Sequence, residues 1–255
     1  MSAPTDPTVM LLRSFCLTTM AGQYEEVMQR AEKEGWSHRE LLRYLCESES
    51  VERCQKRTAR LLAESGLPET KTLSSLDEAL LPPKVRRQLP ALIEGSFVER
   101  SVNVLAFGLP GRGKTHFLAA LGRELILRHS KRVLFRPAFK LVGQLLAAKR
   151  DLRLEQELKK LDRYDVLILD DIGYVQQSRE EMEVLFTLLA ERYERRSLLI
   201  SSNLLFSQWD KIFKDPMTTM AAIDRLVHHS IILEFDGASQ RSRKDSEKAQ
   251  KPVEG

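Results

Sequence analysis

The chain has 255 residues, 42% hydrophobic and 30% charged, with a net charge of +4, the composition of an ordinary soluble protein with room for one α/β domain and a smaller companion. No apolar stretch approaches the ~20 residues that span a bilayer, and Met1-Ser2-Ala3-Pro4-Thr5-Asp6 lacks the basic-then-apolar layout of a signal peptide, so no membrane role is expected and the location implied is cytoplasmic. The mild basic excess permits nucleic-acid binding without establishing it.

Residues 1–9 carry Pro4 and Pro7 without periodicity and read as a loose terminus. From Val9 apolar residues recur at helical spacing, first Met10, Leu11, Phe15, Cys16 and Met20, then Tyr24, Val27, Met28 and Ala31. Gly35 reads as a helix C-cap, and Ser37-His38-Arg39-Glu40 as a capping box opening a helix that ends at Gly66 and Pro68. Residues 1–66 are therefore expected to form a small all-helical domain. Its polar face interleaves Arg30, Arg53, Lys56 and other bases with Glu49, Glu52 and other acids, the pattern of a solvated face laced with i,i+4 ion pairs, with a DNA- or protein-docking surface as the alternative. Cys16, Cys46 and Cys54 are odd in number and lack C-x-x-C spacing, so they read as packing residues, not as a disulfide framework or zinc site.

Residues 67–100 are punctuated by Pro68, Pro82, Pro83 and Pro90 and read as a connector with short helical turns at 73–80 and 83–92. From Val102 strands and helices alternate: strands at 102–107, 132–135, 165–169, 197–202 and 231–235, helices near 114–128, 138–149, 178–194, 206–213 and 218–228. That alternation predicts an α/β domain with a five-stranded, doubly wound parallel sheet over 101–236. Residues 237–255 are polar and charged and read as a disordered tail.

Gly108-Leu109-Pro110-Gly111-Arg112-Gly113-Lys114-Thr115 fits G-x-x-x-x-G-K-[ST], after an apolar strand (Val104 to Phe107) and before a helix that opens with His116. A phosphate chain must be met by several backbone N–H groups at once, and the glycines permit the turns this requires. The helix N-terminus adds further N–H groups and its positive dipole end. Lys114 is assigned to the β- and γ-phosphates of ATP and Thr115 to Mg²⁺.

Strand 165–169 ends in Asp170-Asp171, two carboxylates delivered where α/β sheets bind ligands. Asp170 is assigned to Mg²⁺ and Asp171 to the attacking water. Asn203, after Leu198-Leu199-Ile200-Ser201-Ser202, would sit beside the γ-phosphate if its strand lies between the P-loop strand and the Asp170 strand. Arg225, on a helix before the last strand, is the candidate arginine that neutralises charge in phosphoryl transfer; a salt bridge to Asp224 is the plainer reading of the local sequence.

Together with Glu64-Ser65-Gly66-Leu67-Pro68, Tyr164 to Tyr174, Ser201-Ser202-Asn203-Leu204, Phe206-Ser207-Gln208-Trp209 and Asp224-Arg225-Leu226-Val227-His228-His229, these motifs make the chain from Leu12 to Phe235 resemble the IstB-like ATP-binding proteins, AAA+ helpers encoded beside transposases in insertion sequences. The resemblance implies an ATPase that self-associates into a ring or helical oligomer on double-stranded DNA and recruits a transposase to its target. It relates the fold to DnaC-type helicase loaders and DnaA-type initiators, with Arg225 matching the arginine finger and Asn203 the first sensor. Departures are Pro137 after Phe135-Arg136, where small hydroxylated residues are usual, and Gln176-Gln177-Ser178 in place of a Pro-containing stretch. Asp171 stands where Glu is common, and the tail is too short to fold a helical lid, so slow turnover stimulated by DNA or a partner is expected, with adenine recognition falling to the connector, the helical domain or a neighbouring subunit.

For DNA the expected contacts are Arg128, Lys131, Arg132, Arg136, Lys140, Lys149, Arg150, Arg153, Lys159 and Lys160, with the helical segment Leu141 to Leu161 lying along the duplex. Two alternatives remain at this point. One is a DnaC-like adaptor in which nucleotide switches affinity for a helicase; the other is a small-metabolite or nucleotide kinase, which needs an acceptor lid not found between the strands.

Overall fold

The computed structural model describes residues 6–174, 178–204 and 226–236. The chain divides into two compact units, Met1–Arg60 and Leu61–Gly255.

The first unit is helical. Helix α1 (Pro7–Ser14) starts with Pro at its first position and Asp6 as N-cap, the Asp6 carboxylate accepting from Thr8 N at 2.7 Å. Helix α2 (Thr18–Glu34) ends at Gly35 with φ +69°, the left-handed C-cap expected from the sequence. Helix α3 (His38–Ser65) opens with the expected capping box, Ser37 N donating to Glu40 Oε2 at 2.8 Å and Glu40 N to Ser37 Oγ at 3.3 Å. It gives the first unit its residues up to Arg60, and Leu61–Ser65 to the second. The first unit's core is small, Met20, Val27 and Leu45 with Leu12, Leu17, Trp36 and Leu41 around them. Glu49 strengthens it: the buried carboxylate accepts from Thr19 N and Met20 N, capping α2 from a distant helix, and pairs with Arg53 at 2.7 Å. The cysteine reading is corrected here. Cys16, Cys46 and Cys54 are all exposed: Cys16 lies in the turn between α1 and α2, and Cys46 and Cys54 are on α3, where periodicity alone does not separate a cysteine on the solvent side from the apolar stripe.

In the second unit the segment read as a connector is part of the core. It holds a 3₁₀ turn (Glu78–Leu80), α4 (Pro83–Glu94) and α5 (Ser96–Glu99), and Leu67, Leu76, Leu81, Val85, Leu89, Leu92 and Phe97 are buried against the sheet. Then come β1 (Asn103–Phe107), α6 (Lys114–His129), β2 (Val133–Pro137), α7 (Ala138–Arg150), α8 (Leu154–Leu161), β3 (Val166–Asp170), a 3₁₀ turn (Ile172–Tyr174), α9 (Arg179–Arg192), β4 (Ser197–Ser202) and β5 (Ser230–Glu234). The five strands are parallel in the order β2-β3-β4-β1-β5.

Because successive strand residues face opposite sides, Val104, Ala106, Val166 and Ile168 join α4 and α6 in one apolar layer, whereas Leu105, Phe107, Leu167 and Leu169 join α7 and α9 in the other. Covering both faces explains the nearly unbroken apolar runs in the strands. Helix α6 lies close to the sheet at Gly122, where a Cβ would stand 2.6 Å from Ile168 Cδ1. Buried Arg192 ties the opposite end together, donating to the carbonyls of Leu161, Tyr164 and Ser197 at 3.0, 3.0 and 3.3 Å. Burial lowers its pKa to about 10 against the opposing pull of Asp162.

The segment expected to run helically from Leu141 to Leu161 is two helices. Leu152, with φ +57°, breaks it and is 94% exposed. Pro137 closes β2 and precedes the first turn of α7. Ser178 caps α9 in a reciprocal capping box with Glu181. The helix expected at 206–213 lies outside the described residues, as does that at 218–228 except for 226–228, which are helical. The tail 237–255 is outside them too. No described helix is long and apolar enough to cross a membrane.

Candidate nucleotide-binding site

The P-loop joins β1 to α6 at the carboxyl edge of the sheet. Gly108, Gly111 and Gly113 have φ of +148°, +80° and +89°, conformations that an L side chain strains to adopt. Gly108 is restricted twice over, since a Cβ there would overlap the Phe235 carbonyl. Residue 235 follows β5 and is held by Phe235 N donating to Phe107 O at 2.7 Å, and Arg112 Nη1 reaches Phe235 O at 3.4 Å. Pro110 and Leu109 form the outer turn, with Leu109 58% exposed.

Lys114 opens α6 and is 7% exposed. Its ammonium donates to the loop carbonyls of Gly108 and Leu109 at 2.5 and 3.0 Å. A buried ammonium at the first turn of a helix is well placed for an anion. Thr115 follows, half-buried in the first helical turn. His116 Nε2 lies 3.0 Å from Ser75 Oγ and 3.1 Å from Thr72 O, fastening this turn to the segment before β1.

Strand order places the second half of the site. Strand β4 lies between β1 and β3, which is the condition on which the Asn203 assignment rested. Leu169 is level with Ile200, and Ser202 with Phe107, so Asp170, Asn203 and Gly108 emerge at one edge, with Gly108 N donating to Ser202 O at 3.2 Å. Asp170 Oδ1 accepts from Ser201 Oγ at 2.7 Å, and Asp171 N donates to Ser201 Oγ at 2.8 Å. Asp171 has φ +63°. Asn203 Oδ1 is buried without a hydrogen-bond partner in the described structure, and a Cβ on Gly173 would overlap it.

These features fit a magnesium nucleotide. The carboxylate of Asp170 is an oxygen donor of the kind Mg²⁺ prefers, and the Asn203 oxygen is an acceptor for a donor that the described residues do not provide. Arg225 lies outside the described residues. Ser201, Gly173 and Phe235 were not assigned to the site from sequence. A signal for Ser201 existed in strand parity, which puts residue 201 on the same side as 203.

The expected DNA-contacting bases are largely engaged with acids. Arg128 pairs with Glu124, Lys131 with Glu99, Lys149 with Glu183, Arg150 with Glu180, Arg153 with Asp151, Lys159 with Glu155 and Lys160 with Glu157. Arg132 lies over the Tyr164 ring, and Arg136 Nη1 donates to Phe135 O. The pairs in which both partners are exposed, such as Arg150–Glu180, Arg153–Asp151 and Lys159–Glu155, are worth little.

The profile of the family described as IstB-like ATP binding protein matches residues 10–248. A protein of Sinorhizobium fredii named as an insertion sequence ATP-binding protein is 42% identical over 234 residues, covering 91% of this chain and 78% of its own. One of Pseudomonas aeruginosa named as an insertion sequence IS21 ATP-binding protein is 38% identical over 231 residues, covering 91% and 87%. Among solved structures, the DnaC helicase loader aligns with a TM-score of 0.52 at 18% identity over 69% of this chain and 99% of its own. AMPPCP-bound DnaA from Aquifex aeolicus aligns at 0.56 and 17% identity over 74% and 59%. Those two likenesses establish the fold alone.

Proposed function

Because the chain belongs to the IstB-like ATP-binding protein family, we propose that it is a magnesium-dependent ATPase that oligomerises on double-stranded DNA and helps a partner transposase engage its target during transposition of an insertion sequence. The observation carrying this reading is the strand order, which sets the P-loop, Asp170 and Asn203 along one sheet edge. The insertion-sequence names of the relatives support the biological setting.

In this reading the loop N–H groups and the first turn of α6 receive the phosphates, and Lys114 leaves its loop carbonyls for the β- and γ-phosphates. Thr115 and Asp170 would hold Mg²⁺, which when bound neutralises charge on the transferring phosphate. Asp171 polarises the attacking water, and Asn203 donates from its amide and accepts at Oδ1 to orient that water. Arg225 acts on the nucleotide of a neighbouring subunit.

Nucleotide binding, DNA co-sedimentation and retention on an immobilised partner test the reading together. Wild-type chain with ATP analogue is expected to sediment with duplex DNA and to bind the transposase encoded beside it, in a salt-sensitive manner, and Lys114→Ala to lose all three. Retention on a replicative helicase with no retention on the transposase would overturn the transposition reading.

A further inference from the structure

We infer that Ser201 is the positioning residue of this site, its hydroxyl orienting the Asp170 carboxylate for Mg²⁺ while holding the backbone of Asp171. The inference rests on the magnesium-nucleotide reading above and assigns to β4 a task separate from that of Asn203.

The β3–β4 backbone ladder ends at Leu169 and Ile200. Immediately beyond it the Ser201 side chain takes over. Its single proton goes to Asp170 Oδ1 at 2.7 Å, and its oxygen accepts from Asp171 N at 2.8 Å. The residue is 1% exposed, so water does not compete for either bond. The next serine behaves differently: Ser202 Oγ turns into its own loop, donating to Leu204 O at 2.9 Å. The two serines have opposite strand parity, so only Ser201 faces the acids.

A carboxylate at a strand end rotates about its last side-chain torsion, whose preferences are broad. Donation to one oxygen selects an orientation and leaves the other oxygen for a hydrated cation, the role that outer-shell donors play for metal-ligating groups. Asp171, at φ +63°, occupies a region costly for a non-glycine residue. Its N–H bond to Ser201 joins that backbone to β4. Ser201 also lies on β4 two residues before Asn203, which directly follows the last residue of that strand, so the metal acid, the water-polarising acid and the phosphate-facing amide are referenced to the end of the same rigid element.

The test uses full-length protein and a fluorescent N-methylanthraniloyl ATP, read by fluorescence in chelator and during Mg²⁺ titration, with thermal unfolding as a check on folding. Ser201→Ala is expected to keep its metal-free nucleotide affinity and to raise the Mg²⁺ midpoint on the order of tenfold, and Ser201→Thr, which restores the hydroxyl, to return it toward wild type. Ser201→Cys, nearly isosteric but a weak donor, should behave as Ser201→Ala, which separates the lost donor from a lost volume. A wild-type midpoint in Ser201→Ala, or an equal loss of affinity with and without metal, overturns the assignment alone. Wild-type protein that binds no nucleotide in a Mg²⁺-dependent manner overturns the functional reading and the assignment with it.

Discussion

At the scale of single residues, the site depends on atoms whose alternatives are few. Lys114 is buried and already turned onto two carbonyls, so Lys114→Ala is expected to weaken ATP binding by on the order of 100-fold, the worth of about two charge-assisted hydrogen bonds, without unfolding the chain. Isothermal titration against ATP measures this. Gly173 lies against Asn203 so closely that Gly173→Ala must displace the amide. Expected is a loss of turnover of up to about 10²-fold with ATP affinity retained, read from single-turnover hydrolysis beside equilibrium binding. The P-loop motif and the strand-end positions of Asp170 and Asn203 were legible in the sequence, because the motif has a fixed spacing and the apolar runs mark where the strands stop. Gly173 and Phe235 were not, since each matters through a neighbour far away in sequence, and a glycine or phenylalanine carries no chemical signature of such an approach.

Elements are set by caps and by the close approach of helices to strands. Gly122 lets α6 approach Ile168 and Val133, and Gly122→Ala is expected to destabilise the second unit by about 1–3 kcal/mol through overpacking, measured by denaturant unfolding. In the first unit, burial alone would raise the pKa of Glu49, but the N–H groups of Met20 and Thr19 and the Arg53 guanidinium together hold it below the ordinary 4.5. A carboxyl whose folded pKa is depressed contributes stability that is complete above the unfolded value and lost as pH falls through the folded one. The first unit is therefore expected to lose stability as pH drops below about 4.5, and Glu49→Gln to lower its thermal midpoint at neutral pH and flatten that dependence, followed by circular dichroism. The capping boxes at Ser37 and Ser178 could be read from local chemistry, whereas the Glu49 cap joins residues 29 and 30 positions apart. Periodicity ends a helix near residue 149, and α7 ends at Arg150; the left-handed turn at Leu152 before α8 falls on a residue type that seldom adopts it, so nothing local announced it.

For the whole molecule, the reading predicts assembly. With an ATP analogue and duplex DNA, negative-stain images should show rings or filaments, and their absence under both conditions would remove the oligomeric mechanism. Arg225→Ala is expected to bind ATP normally yet hydrolyse it about 10³-fold more slowly if the arginine completes a neighbour's site, measured by phosphate release at a protein concentration where assemblies form. The amino-acid sequence by itself determined the α/β class, the helical first unit, the glycine-rich loop between the first strand and its helix, and the family, because apolar periodicity and motif spacing are local and the strands are buried on both faces. Only the tertiary structure decided that β4 lies between β1 and β3, that residues 67–100 belong to the core, and that Ser201 bridges both acids. Strand order and side-chain bridging join residues 30 or more positions apart, and they follow from which surfaces bury each other when the chain closes.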